Sequence, residues 1–190
     1  IYSDSEDDNT IIEDNYIKYS GSGSTIYGQN LTIRNNRIVG DNIASYAIKI
    51  VGPDEHSSIS NNIITTVGNG LFLSGGGLDV DYNVIDCGGT GIDISNHSLV
   101  HIINNTIIGN GDNLAIMMNE DSDISIINNI ISKFGTGIDT YSEILEIQTN
   151  SFWENEDDVA PGLPPGFIPD YFGEWECPTC PTNDNGDKCD

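Results

Sequence analysis

Apolar and polar residues alternate along this chain in short bursts, and the bursts recur in a fixed frame around Asn15, Asn36, Asn62, Asn83, Asn105, Asn129 and Asn150. Each asparagine has an apolar residue three positions before it and another two positions after it, as in Ile33–Asn36–Ile38, Val80–Asn83–Ile85 and Ile147–Asn150–Phe152. Ahead of the asparagine the alternation is strict: Leu31 and Ile33 against Thr32 and Arg34, Leu78 and Val80 against Asp79 and Asp81. Period two predicts a strand with one buried face, and the Ile and Val that dominate it suit a pleated surface. A second alternating stretch follows each frame, as at Ala47–Ile50, Gly70–Leu73, Gly91–Ile94, Leu114–Met117 and Gly137–Thr140. The glycine ahead of it predicts a corner whose backbone conformation other residues would resist. The asparagines are 21, 26, 21, 22, 24 and 21 residues apart. Self-similarity at that period marks a solenoid, in which one coil buries its apolar face only against its neighbours.

No capped segment carries a 3.6-residue period, so the expected class is all-β. The leucine-rich repeat is the structural rival, because Leu31-x-Ile33-x-x-Asn36-x-Ile38 fits half of its signature. Two features oppose it: Gly28, Gly75, His97 and Asp121 stand where the leading leucine belongs, and the rest of each repeat alternates with period two. The tokens I-x-N-N-x-I at Ile59–Ile64 and Ile126–Ile131, and G-x-G-I-D-I at Gly89–Ile94, resemble those of right-handed parallel β-helix repeat proteins over about residues 10–158. The resemblance implies a right-handed parallel β-helix of about seven coils, roughly 30 Å long at ~4.8 Å per coil. Residues 1–158 would form this solenoid, with the polar residues 1–9 at its edge, and residues 159–190 an irregular Pro/Cys-rich acidic tail. The tail holds Pro161, Pro164, Pro165, Phe167, Pro169, Tyr171, Phe172 and Trp175, and is expected either across the open end, where strand edges would otherwise recruit further strands, or at a contact with the first coil of another copy. The asparagines have a physical task in such a fold. A sharp corner turns backbone N–H and C=O groups inward, and stacked carboxamides supply both donors and acceptors to them.

Six Lys+Arg against 30 Asp+Glu give a formal charge of −24, which argues against nucleic-acid phosphates and anionic membranes as partners. No apolar run reaches the ~20 residues of a spanning helix, so no membrane insertion is expected. A chain that begins at Ile1 rather than Met is read as having lost a leader, and three of its four cysteines crowd the last stretch. Both features suggest an oxidising compartment and a secreted or cell-surface protein. The N-x-[ST] acceptors Asn30, Asn96 and Asn104 agree with export.

Candidate chemistry is sparse. Asn183, Asn185, Asp187 and Asp190 follow Cys177 and Cys180 and surround Cys189; this run resembles the calcium loop of thrombospondin type 3 repeats with two aspartates replaced by asparagine. The resemblance implies Ca²⁺ as a cofactor held by those four oxygen-bearing side chains. A disulfide from Cys189 to Cys177 or Cys180, and an incomplete zinc site, are the alternatives for the cysteines. Cys87 reads as a small, inert, buried residue. Alternation turns Asp79, Asp81 and His101 outward from adjacent coils, with Asp93 and Asp139 on the outer side of another strand. Pectate lyases and mannuronan epimerases bind acidic sugars on such a face, so catalysis, if any, would fall to Asp79, Asp81 and His101. The usual motifs of those enzymes are absent, however, and Lys18, Arg34, Arg37, Lys49 and Lys133 are scattered over separate coils. Phe72 and Tyr82 are candidates for stacking on a sugar ring or for packing at a turn. The reading that results is a non-catalytic structural or adhesive surface protein, with self-association end to end and, as alternative, a carbohydrate-binding or polysaccharide-modifying module that takes a glycan.

Overall fold

The computed structural model describes residues 1–3, 9–41, 43, 45–52, 56–95, 99–119, 123–140 and 145–160, with Thr140 and Leu145 described by backbone alone. Among them there is no helix, and every strand pairs parallel to its neighbours in adjacent coils. The architecture is a parallel β-solenoid of about six turns. Three faces build it. The first is a seven-stranded sheet of Thr10–Glu13, Leu31–Arg34, Ser57–Ser60, Gly77–Asp81, Leu99–Ile103, Asp123–Ile127 and Leu145–Gln148. These are the strands ahead of the seven asparagines. The second face follows each asparagine: Tyr16–Tyr19, Arg37–Gly40, Ile63–Thr66, Val84–Cys87, the first halves of Thr106–Met118 and Ile130–Thr140, and Ser151–Trp153. The third runs through Tyr2–Ser3, Ile26–Gly28, Tyr46–Val51, Asn69–Ser74, Ile92–Ser95, the second halves of the two long strands, and Asp157–Val159.

The inward residues of all three faces meet in one core. Ile33, Ile59, Val80, Ile102 and Ile126 stack from the first face, Ile38, Ile64, Ile85, Ile107 and Ile131 from the second, and Ile48, Leu71, Ile92, Ile116 and Ile138 from the third, all fully buried. Each apolar position that defined the sequence frame is one of these columns. The glycines ahead of the third face have a different cause from the one expected. Gly70, Gly91 and Gly137 do not adopt a left-handed conformation. They stand where a side chain has no room: a Cβ on Gly91 would lie 2.5 Å from Ala115 O and 2.8 Å from Ile107 Cγ2.

The corner between the first and second faces is the most regular part of the molecule. At each interior rung the asparagine Oδ1 accepts the backbone N–H of the asparagine one coil earlier at 2.8–3.0 Å. The same oxygen accepts that residue's Nδ2–H at 3.0–3.2 Å. Nδ2 also donates back to the strand of the coil below, to Ile12, Ile33, Ile59, Val80, Ile102 and Ile126 carbonyls in turn, at 2.7–2.9 Å. Asn36, Asn62, Asn83, Asn105, Asn129 and Asn150 are buried, whereas Asn15 at the lower end is exposed. The expected ladder is therefore present in full. One part of the corner escaped the sequence reading. The residue before each ladder asparagine is left-handed: Asp14, Asn35, Asn61, Tyr82, Asn104, Asn128 and Thr149 all have φ between 53° and 58°. Asn tolerates that conformation best among residues with a Cβ, which explains the doubled asparagine of the recurring token.

Candidate functional site

Two polar clusters lie on the outer surface, each assembled by the one-coil register of the sheets. On the first face, Asp79 stands beside His101 in the next coil. Its Oδ1 accepts from His101 Nδ1 at 2.9 Å and its Oδ2 from His56 Nε2 at 2.8 Å. The carboxylate is thus held between two imidazoles, and among the described residues His101 Nε2 has no partner. Asp81, two residues along the same strand, has its carboxyl pushed above the usual range, chiefly by partial burial and then by the Asp79 charge, with His101 opposing. The alternation placed Asp79, Asp81 and His101 correctly, but His56, just ahead of its strand and outside the repeat frame, was missed. The next residue up the column is Ser125, so Asp79, His101 and Ser125 stand in register like a charge-relay triad. The Ser125 hydroxyl, however, donates to Glu146 Oε2 at 3.3 Å instead of to His101. A strand whose N–H groups serve its ladder also has no donors left to hold an oxyanion. Among the described residues no trio of His, Cys, Asp or Glu has the spacing to hold a metal ion.

The second cluster is on the third face and corrects an expectation. Asp93 does occupy an outward position, in register with Phe72 and Met117, but it is only 6% exposed. Tyr46 covers it. The phenol crosses the Phe72 coil edge-on to that ring, at 5.2 Å between centroids, and its hydroxyl donates to Asp93 Oδ2 at 2.5 Å. Asn119 Nδ2 donates to the other oxygen at 3.1 Å. Burial raises the Asp93 carboxyl above its ordinary 3.8, against the lowering effects of the Tyr46 bond and the Lys49 charge. Burial and the neighbouring carboxylate likewise raise the Tyr46 phenol. Lys49 Nζ sits 4.5 Å over the Phe72 ring, so Phe72 packs against an ammonium as well as against the Tyr46 phenol. Tyr2 and Tyr27 on the same column stack on each other, nearly parallel at 5.2 Å. Tyr2, at the lower end of this column, is 67% exposed. Tyr82 does stand free at its corner, 61% exposed.

The sequence profile described as the right-handed β-helix region matches residues 1–131, more than half of the chain. The chain belongs to this family. Its parallel solenoid fits that description, and right-handed crossovers are the strong general preference between parallel strands. Neither the curated proteins nor the solved structures contain a significant match to the chain. Of the remaining sequence candidates, Cys87 is buried, its thiol pushed up to about 12 by desolvation and by Asp86. Asn183, Asn185, Asp187 and Asp190, together with Cys177, Cys180 and Cys189, lie outside the described residues, as does Asn96. Asn30 and Asn104 are half-exposed, and the Asn104 amide oxygen accepts from Asn128.

Proposed function

We propose that this right-handed β-helix is a non-catalytic structural module, a rod that associates end to end on the outside of a cell. The observation that carries the reading is the polarity of the asparagine ladder. From Asn36 to Asn150 each carboxamide oxygen accepts two donors from the coil below, so the described column terminates in unlike ends. Among the described residues nothing accepts the Asn150 backbone N–H, and nothing donates to Asn15 Oδ1. Among the described residues the first and second faces likewise end in strands paired on one side only, Leu145–Gln148 and Ser151–Trp153 above, Thr10–Glu13 and Tyr16–Tyr19 below. A second copy stacked on top continues both sheets and completes the Asn150 rung with its Asn15, a head-to-tail contact that propagates. On the third face Tyr2–Ser3 already lies beneath Ile26–Gly28, at the level the other copy's Asp157–Val159 would occupy. One of these two short strands therefore yields on stacking.

The two polar clusters favour this reading over a polysaccharide-modifying one, since their carboxylates are occupied by partners on adjacent coils and tie those coils together. Export, and a Ca²⁺ loop at Asn183, Asn185, Asp187 and Asp190, belong to the same proposal; calcium titration of the full chain by calorimetry, against Asp187→Ala, tests the loop. For the rod itself the test is sedimentation velocity and electron microscopy of the full chain beside Asn15→Leu, an exposed substitution that removes the terminal acceptor. End-joined rods that shorten to single particles in the variant are expected. Single particles for the wild type at every concentration, with and without calcium, would overturn the proposal.

A further inference from the structure

The tripeptide Gly-Asn-Gly occurs at 68–70 and again at 109–111, each time where the second face turns into the third. The two environments are opposite. At the earlier site both reacting groups are held: Asn69 Oδ1 accepts the Thr90 N–H at 2.8 Å, and the Gly70 N–H donates to Thr90 O at 2.9 Å. Gly70 is also buried, with Gly91 O and Ile85 Cγ2 crowding it. At the later site Asn110, Gly111, Asp112 and Asn113 are all exposed. Among the described residues nothing binds the Asn110 carboxamide, and a Cβ on Gly111 would meet nothing within 4 Å. Gly111 pairs with Phe134 as a single rung, and the register breaks on both sides of it. The next tie is Asn113 Nδ2, which donates to Gly88 O at 2.9 Å.

We infer that Asn110 is a self-modifying site, which loses ammonia and becomes an aspartyl or isoaspartyl linkage while the protein stays folded. Asparagine before glycine is the pairing this chemistry needs, because glycine lacks the side chain that would keep its nitrogen away from the preceding carboxamide. Gly111 N attacks Asn110 Cγ. The N–Cγ bond forms, the Cγ–Nδ2 bond breaks, and ammonia leaves, solvent carrying the Gly111 amide proton to it. Water then opens the imide at Cγ, giving an aspartyl linkage, or at the main-chain carbonyl, giving an isoaspartyl one. The net change consumes a carboxamide and a water and yields a carboxylic acid and ammonia. To reach Cγ, Gly111 gives up an isolated rung at the surface, and such local openings are the least costly in a fold. At Asn69 the same approach breaks both bonds to Thr90. The isoaspartyl form adds a methylene to the backbone at a corner of the kind whose length already differs between coils, so the core columns on either side keep their positions.

The experiment incubates the full folded chain at mildly alkaline pH, which speeds amide deprotonation. Both sites are followed by chymotryptic mapping, with fragmentation that separates aspartyl from isoaspartyl products. Conversion at Asn110 is expected to be roughly tenfold or more faster than at Asn69. A parallel sample in guanidinium chloride removes the fold, and there the two identical tripeptides are expected to convert at similar rates. Asn110→Gln is expected to abolish the product from its corner, and the converted wild type is expected to melt with the starting protein. Equal rates at the two sites in the folded chain overturn the inference. So does a difference that persists undiminished in denaturant, since neighbours in sequence rather than the fold would then decide. A converted fraction that melts early overturns the claim that the corner absorbs the extra methylene.

Discussion

Replacing Asn83 by leucine probes the ladder at its centre. In the native corner Asn83 Oδ1 accepts the Asn62 N–H at 3.0 Å, and Asn83 Nδ2 donates to Ile59 O at 2.8 Å. Leucine has a similar branched shape and neither function. Other partners soften part of the loss: the residue-83 N–H still reaches Asn105 Oδ1, and Asp81 O still accepts from Asn61 N. The Asn62 N–H and Ile59 O are left without these partners, in a corner that water does not reach. Each such group costs about 1–3 kcal/mol, and burial of the leucine returns roughly 1.5–3 kcal/mol. The net loss expected is about 1–3 kcal/mol. Asn15→Leu makes the same chemical change where water can substitute, and is expected to cost less than about 0.5 kcal/mol. Urea unfolding of both variants measures the difference, and hydrogen exchange of the Asn62 amide reports it locally, which matters because solenoids can open coil by coil. A midpoint for Asn83→Leu equal to that of Asn15→Leu, with Asn62 protection intact, would refute the reasoning.

Three further outcomes follow from the same geometry. Tyr82→Asn places at a left-handed position a residue that tolerates it, on an exposed side chain with little burial to lose, and is expected to raise stability by about 0.5–1 kcal/mol in a thermal melt. Gly91→Ala drives a methyl group against Ala115 O and Ile107 Cγ2 and is expected to cost about 1–3 kcal/mol, whereas an unchanged melting curve would mean the coils can part there. Asp93 binds its proton more tightly folded than unfolded, so its contribution is complete below the ordinary 3.8 and is lost as pH rises through its raised value. Relative to Asp93→Asn, the wild type is therefore expected to lose stability as pH climbs out of the ordinary carboxylate range. Tyr46→Phe, which removes a bond that lowers the Asp93 value, extends that loss to higher pH, and urea midpoints across pH decide both.

The columns of the core were legible in the sequence because burial on one face of a strand imposes period two, and Ile33, Val80 or Ile126 satisfy it literally. The ladder was legible because its asparagines recur at one place in each coil. What lay outside that frame was not. His56 and Tyr46 reach their partners across one or two coils from positions next to corners of irregular length, and no local pattern announces such a reach. Asp93 was placed on the correct side of its strand, but alternation decides only inside or outside; it cannot see a neighbouring phenol folded over the carboxylate. The glycines were noticed for the right position and the wrong reason, since crowding by the coil above leaves no trace in the local sequence.

The corner that carries the ladder never changes length: two residues, one left-handed and one carboxamide, separate the first face from the second in every coil. Variation in the repeat is taken up at the other two corners, as between Gly40 and Tyr46, where the chain needs more residues than between Thr66 and Asn69. A cut made at equivalent points of two such corners thus removes a unit whose upper and lower surfaces are chemically interchangeable. Duplication or deletion of that unit would lengthen or shorten the molecule in steps of one sheet spacing while leaving every remaining junction intact. Reach is then a quantity that a lineage, or an engineer, can adjust without redesigning the protein.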